Sequence, residues 1–176
     1  MTFDEAKYIA QGVVAKLRPV TEQIKVCGSL RRLRKEVSDI DIVCEPKRTP
    51  VKDLFGAISG YQVDPKFIEV VNSWEKIKGS PEGKYCQRLV DGVKVEISIA
   101  DKTRFGNLVI IRTGDAEFSH NIMKRVLKMG FEQRGGYLYN GDKIIPLYTE
   151  EDYFKILNLP YIEPKDRHKD SFKNLR

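Results

Sequence analysis

Gly28-Ser29-Leu30-Arg31-Arg32, followed by Ser38-Asp39-Ile40-Asp41-Ile42-Val43, is the stretch that decides how this sequence folds. Ile24 to Cys27 reads as a short strand running into Gly28-Ser29, and Asp39 to Cys44 as a second strand. Alternate strand residues share a face, so Asp39 and Asp41 stand together about 6.5–7 Å apart while Ile40 and Ile42 face a core. Two adjacent carboxylates repel, and the unfavourable charge raises one pKa unless a cation neutralises the pair. Mg²⁺ suits such donors, because it takes one or two carboxylates with phosphate oxygens and keeps some water. A glycine turn lets backbone approach a ligand, and its free N–H groups can hold phosphate oxygens. The Ser29 hydroxyl and the Arg32 guanidinium would add a hydrogen bond and a charged fork. A lone Asp-x-Asp is common in surface loops and a lone Gly-Ser means little. The weight lies in their order: strand, Gly-Ser, basic patch, strand with paired acids.

Outward from that stretch, apolar residues at Phe3, Ala6, Ile9, Ala10, Val13, Val14 and Leu17 have helical spacing, and Pro19 ends that helix. Helices are predicted over Val51 to Ile58 and Lys66 to Trp74. Strands are predicted over Trp74 to Lys78, Tyr85 to Val90 and Val93 to Ala100. In the last of these, Val93, Val95, Ile97 and Ile99 alternate with Lys94, Glu96 and Ser98, which offers a third carboxylate on the polar face. Beyond Asp101, Leu108 to Ile111 is a short apolar run, and Thr113-Gly114-Asp115 opens a helix reaching Met129. A hairpin around Tyr137 to Tyr139 and a helix from Glu150 to Leu157 follow. The expected fold is α/β of the α+β kind. Residues 1–100 form a mixed β-sheet flanked by helices, and residues 101–176 a small C-terminal α+β subdomain with a basic tail, Lys165 to Arg176, of net charge +3.

Composition narrows the function classes. With 176 residues, 41% hydrophobic and 32% charged, the chain can bury a core, and no apolar run approaches the roughly 18 residues that span a bilayer. The start, Met1-Thr2-Phe3-Asp4-Glu5, lacks the basic and apolar stretches of a signal peptide, so a cytoplasmic protein without membrane partners is expected. Cys27, Cys44 and Cys86 are widely spaced and form no CxxC pair, which disfavours zinc and disulfides. Net charge is +6 and the pI about 9.1, favourable to polyanions. The excess is even, with 17 basic and 14 acidic residues up to position 100 and 14 and 11 beyond it.

These residues resemble the family X DNA polymerases, the group of DNA polymerase beta within the nucleotidyltransferases. The likeness is nearest to minimal bacterial, phage or viral forms with palm and thumb only. It covers residues 22–46 and 84–168 and is weaker over 47–83. Gly28-Ser29-x-Arg31-Arg32 with Asp39-x-Asp41 is similar to the family's triphosphate- and metal-binding segment. Residues 93–101 are similar to the strand with the third metal-binding carboxylate, and Arg112-Thr113-Gly114-Asp115 to the aromatic-Thr-Gly-Ser segment at the nucleotide. The resemblance implies a palm over 1–100, a thumb over 101–176, and addition of nucleotides to a primer 3′ end, as in short-gap filling during repair. It further implies catalytic, metal-binding Asp39, Asp41 and Glu96 holding two Mg²⁺ ions, with Mn²⁺ as a substitute. Gly28, Ser29, Arg32, Ser38, Thr113, Gly114, Asp115 and Ser119 would meet the nucleoside triphosphate. Lys84, Lys94, His120, Lys124 and Lys128 would meet a DNA primer and template, with the protein a monomer.

Glu96 stands where the family usually has aspartate. A displacement of about 1 Å in a reacting group can cost ~100-fold in rate, so a slow enzyme is expected unless the pocket is shaped for glutamate. Ile111-Arg112 replaces an aromatic pair that helps relatives exclude ribonucleotides. Along the thumb helix, Phe118, Ile122, Val126 and Leu127 are expected to pack inward, with His120, Lys124 and Lys128 on another side. Two rival readings share parts of this pattern. One is a template-independent nucleotidyltransferase, or one acting on RNA or a small acceptor; the other is a DNA-end-binding protein with weak or lost catalysis.

Overall fold

The computed structural model describes residues 1–172, so the last four residues of the basic tail lie outside the described residues. Helix α1 (Phe3–Leu17) opens on a reciprocal cap, in which the Thr2 hydroxyl accepts from the Glu5 amide and the Glu5 carboxylate accepts from the Thr2 amide. It buries Ala6, Ala10, Val13 and Leu17. A single 3₁₀ turn with Pro19 leads into β1 (Thr21–Val26). The short α2 (Gly28–Arg31) precedes β2 (Ile40–Pro46). Next come β3 (Arg48–Lys52), β4 (Ile58–Val63) and α3 (Pro65–Asn72), the last capped by Asp64. Strands β5 (Glu75–Gly79), β6 (Tyr85–Val90) and β7 (Val93–Ile99) complete the first part.

Five strands form one mixed sheet in the order β1-β2-β7-β6-β5, antiparallel throughout except for the parallel pair β2 and β7. One face of that sheet carries Ile40, Ile42, Val95, Ile97 and Cys86 into a cluster with α1 and α3, through Ala10, Val13, Phe67 and Val71. Arg88 is buried too, and its guanidinium donates to Val71 O, Gln87 O and the Asn72 side chain, which removes the penalty of an unpaired buried charge.

The second part begins at α4 (Phe105–Thr113), continues with α5 (Ala116–Lys128), and adds the three-stranded β8 (Glu132–Arg134), β9 (Tyr137–Asn140) and β10 (Lys143–Ile145) before α6 (Glu150–Ile156). Its core joins Ile110, Phe118, Ile122, Val126, Leu138 and Tyr153. A small third cluster, Cys27, Val43, Ala100, Phe105 and Val109, packs α4 onto the other face of the five-stranded sheet.

Two expectations are corrected. Residues Val51 to Ile58 form no helix; they span the tip of a β3–β4 hairpin that makes its own two-stranded sheet. Val51, Leu54, Phe55 and Ile58 have helical spacing, yet all four are exposed, and Asp53 and Gly56 turn the chain instead. The apolar run Leu108 to Ile111 lies within α4. Leu127 faces outward, because the buried stripe of α5 keeps the i, i+4, i+8 row Phe118, Ile122 and Val126 and leaves Leu127 a further 100° round the helix. All three cysteines are free and buried. No helix among the described residues is long and apolar enough to cross a membrane.

Candidate active site

Strands β2 and β7 run parallel with Ile40 opposite Val95 and Asp41 opposite Glu96. Register partners on neighbouring strands, roughly 4.8 Å apart, project to the same face. Because Ile40, Ile42, Val95 and Ile97 take the buried face, alternation sends Asp41 and Glu96 to the other, with Asp39 just ahead of β2. Asp41 and Glu96 from two adjoining strands, with Asp39 from the bend before β2, therefore crowd one side of the sheet. Burial first, and then the charges of Asp39 and Glu96, push the Asp41 carboxyl up from its ordinary 3.8 to about 6, with Arg112 and Arg32 partly offsetting them.

Gly28 opens this side. Its φ of +63° suits glycine, and a Cβ there would overlap the Oδ2 of Asp41. The Cys27 amide donates to Asp41 O at 2.8 Å, pinning the turn to β2.

Basic and amide groups hold the outer two acids. Lys94 Nζ meets Asp39 Oδ2 at 2.8 Å, and the Ser38 hydroxyl donates to Asp39 Oδ1 at 3.0 Å. The hydrogen bond and the charge of Asp39 hold the Lys94 ammonium above its usual range. Gln87 Nε2 donates to Glu96 Oε1 at 3.1 Å, while Arg112 approaches the same oxygen at 3.8 Å. Among the described residues, no three acidic, histidine or cysteine side chains are gathered as a ready metal cage. The reason is visible in these contacts, for Asp39 turns to Lys94 and Glu96 to Arg112. The donor chemistry nonetheless fits a hard divalent cation: crowded carboxylate oxygens, one with a raised pKa, beside a glycine that leaves room.

Behind the acids, Arg31 and Arg32 reach into the second part of the chain. Arg31 forks onto the Glu150 carboxylate and donates to the Thr113 hydroxyl at 2.9 Å, while Arg32 Nη1 donates to Thr113 O at 2.6 Å. The fully buried Arg167 grips the same Glu150 carboxylate from the other side. Burial alone would raise the Glu150 carboxyl, but the bonds and charges of the two arginines outweigh it and hold it below the ordinary 4.5. The rings of Phe154 and Tyr161 flank the Arg167 guanidinium.

The other expected residues divide clearly. Ser29 is half-buried beside Gly28, and its hydroxyl has no hydrogen-bond partner among the described residues. Thr113 is buried, with its hydroxyl and carbonyl both engaged by arginines. The Gly114 backbone packs against the Phe118 ring. Asp115 caps α5 by accepting from the Phe118 amide, and the Ser119 hydroxyl donates to Ile111 O, so both organise the start of that helix. His120, Lys124 and Lys128 are exposed on α5, and Lys84 is exposed in the loop between β5 and β6.

Residues 108–168 match the family model described as the DNA polymerase beta thumb. That match supports a family X polymerase-like protein over the C-terminal part of the chain. A comparison with the curated proteins finds no match. The matched segment takes in Arg112, Thr113, all of α5, Glu150 and Arg167. Asp39, Asp41 and Glu96 lie outside it and rest on their own geometry. Sequence reading missed Gln87 and Glu150 as site neighbours and gave Arg112 only its place in a motif. Gln87 sits opposite Glu96 only once β6 and β7 pair, which no local spacing announces.

Proposed function

We propose that the chain is a nucleotidyltransferase that adds deoxynucleotides to a DNA 3′ end on a template, as in filling short gaps. One observation carries this reading: Asp41 and Glu96 are register partners beside Asp39 and the Gly28 turn, on a chain whose C-terminal part matches a DNA polymerase beta thumb. Asp39, Asp41 and Glu96 would hold divalent cations, Mg²⁺ or in its place Mn²⁺. Such ions, when bound, lower the pKa of an attacking hydroxyl and neutralise charge on a triphosphate.

The chain's own groups do the rest. Gly28 lets the turn close onto the Asp41 carboxylate, and Ser29 and Arg32 would supply donors beside it for a phosphate-bearing ligand. Lys94 and Arg112 offset the acids before substrate enters, which keeps three carboxylates from expelling one another. The primer 3′ oxygen bonds to the α-phosphorus as the bond to the bridging oxygen breaks, pyrophosphate leaves, and Glu96 accepts the hydroxyl proton. Gln87 and Arg112 aim the Glu96 carboxylate at its own length, so the extra methylene is accommodated. His120, Lys124 and Lys128 face outward on α5, available to template and backbone phosphates.

The test is extension of one labelled primer, with and without template, with each dNTP in Mg²⁺ or Mn²⁺. Template-directed addition that Asp41→Ala abolishes supports the proposal. Extension without template, or of RNA and small acceptors, supports the broader nucleotidyltransferase reading. Binding to DNA ends with no addition in either metal supports an end-binding protein.

A further inference from the structure

The β3–β4 hairpin takes no part in that chemistry, and its surface is unusual. Among the described residues its two strands pair only with each other, and Val51, Leu54, Phe55, Ile58 and Tyr61 are all exposed on it, Leu54 at 101% and Phe55 at 95%. An isolated two-stranded hairpin is marginal in water, so shedding five apolar side chains into solvent needs a return elsewhere. The tip is built, not frayed. Asp53 Oδ1 accepts from the amides of Phe55 and Ala57, the Asp53 amide donates to Ala57 O, and Gly56 turns the chain at a φ of +82°. Leu54 and Phe55 are thereby presented outward.

Charge separates the occupants. Along β3, Arg48 and Lys52 flank Pro50, and Tyr61 stands directly across from Pro50 on β4. An exposed ring thus lies between two exposed cations. Asp53, at the hairpin tip, has its carboxylate committed to the turn, and Asp64, beyond β4, caps α3. Arg48 and Tyr61 also line a cleft of about 420 Å³ whose other walls bring Lys84 and Arg104, against the single acid Glu82. A second copy of this net-positive hairpin would meet like charge, and a core helix would meet cations where it needs apolar atoms. A nucleic-acid strand matches both features, its phosphates meeting the cations and its bases stacking on the ring.

We infer that this hairpin and cleft form a second nucleic-acid surface, binding an unpaired strand about 10 Å along β7 from Glu96, where Ile99 floors the cleft. Tyr61 stacks a base, Arg48, Lys52 and Lys84 hold phosphates, and Leu54 and Phe55 lie against further bases. The inference shares no residue with the carboxylate site, so it stands or fails apart from the polymerase reading.

The experiment is fluorescence anisotropy of the whole chain in EDTA, with a labelled single-stranded oligonucleotide and a blunt duplex of equal length. Tyr61→Ala is expected to weaken single-strand binding about fivefold, the low end of one lost base–aromatic stack. Tyr61→Phe keeps the ring and is expected to bind as the parent does. Arg48→Ala with Lys52→Ala should flatten the slope of log affinity against log salt by about 1.4, two contacts at ~0.7 each for single strands. Blunt-duplex affinity should change by less than about twofold in each variant. Parent-like single-strand affinity and salt slope in all three variants would overturn the inference. So would a Leu54→Ala, Phe55→Ala variant that changes sedimentation of the free protein but not its DNA affinity, since the hairpin would then be a protein interface.

Discussion

Asp41→Asn should make the metal-free protein more stable while removing its activity. A carboxyl raised from 3.8 to about 6 is harder to ionise in the fold than in the unfolded chain. At about 1.4 kcal/mol for each pH unit of displacement, full ionisation costs roughly 3 kcal/mol. Water reaching the half-buried group trims that figure, so a gain of about 1–3 kcal/mol is expected for asparagine at pH 8. The sign follows from the direction of the displacement. Wild type has no penalty below about pH 4, acquires it as pH rises, and bears all of it above about 6. The advantage of Asp41→Asn should therefore be absent at pH 4 and complete by pH 7–8. Urea unfolding followed by Trp74, the sole tryptophan and a buried one, measures this in EDTA across that range. Saturating Mg²⁺ at about 100 times its Kd should then return about 2.7 kcal/mol to wild type and little to the variant. A variant that is less stable than wild type at pH 8, or whose advantage does not change with pH, would refute the crowding of acids inferred from the β2–β7 register.

Glu150→Ala leaves Arg31 and the fully buried Arg167 without their shared carboxylate and should cost about 3–5 kcal/mol in urea unfolding. Because the Glu150 carboxyl is held below its ordinary value, the stabilisation it gives wild type is present above about pH 4.5 and fades as pH falls; an equally acid-sensitive Glu150→Ala would contradict this. Gly28→Ala should lose ~1–2 kcal/mol from its left-handed backbone and, by displacing Asp41, about 100-fold in primer extension. Glu96→Asp should slow extension at least about tenfold, since the shorter arm leaves Gln87 and Arg112 behind; a faster variant would show that the site is not shaped for glutamate.

Much of the site could be read along the chain because strand alternation is local. Once Ile40-Asp41-Ile42 lies in a strand, the two apolar residues fix which face goes in, and Asp41 follows to the other. Val93 to Ile99 obeys the same rule and brings Glu96 to that face. The β3–β4 hairpin was not legible, since Val51, Leu54, Phe55 and Ile58 imitate a helical stripe and only the absence of a surface to bury them betrays the imitation. Leu127 was misread because apolarity alone does not choose between two positions one step apart on α5. The hold of Gln87 and Arg112 on Glu96, and of Glu150 on two arginines, depends on segments 9 to 119 residues apart meeting, and no spacing rule reaches that far.

The parallel pairing of β2 with β7 has a bearing on how the protein is made. During synthesis, Asp41 leaves the ribosome long before Glu96, and a hairpin, a helix and two further strands must emerge between them. Until β7 slots in, β2 presents a bare edge of Ile40, Ile42 and Val43, and a nascent chain halted before residue 93 holds an apolar seam open to any neighbouring strand. The face bearing Asp41 and Glu96 thus cannot assemble before residue 96 emerges, and a slow ribosome over residues 47–92 would prolong the chain's most adhesive moment.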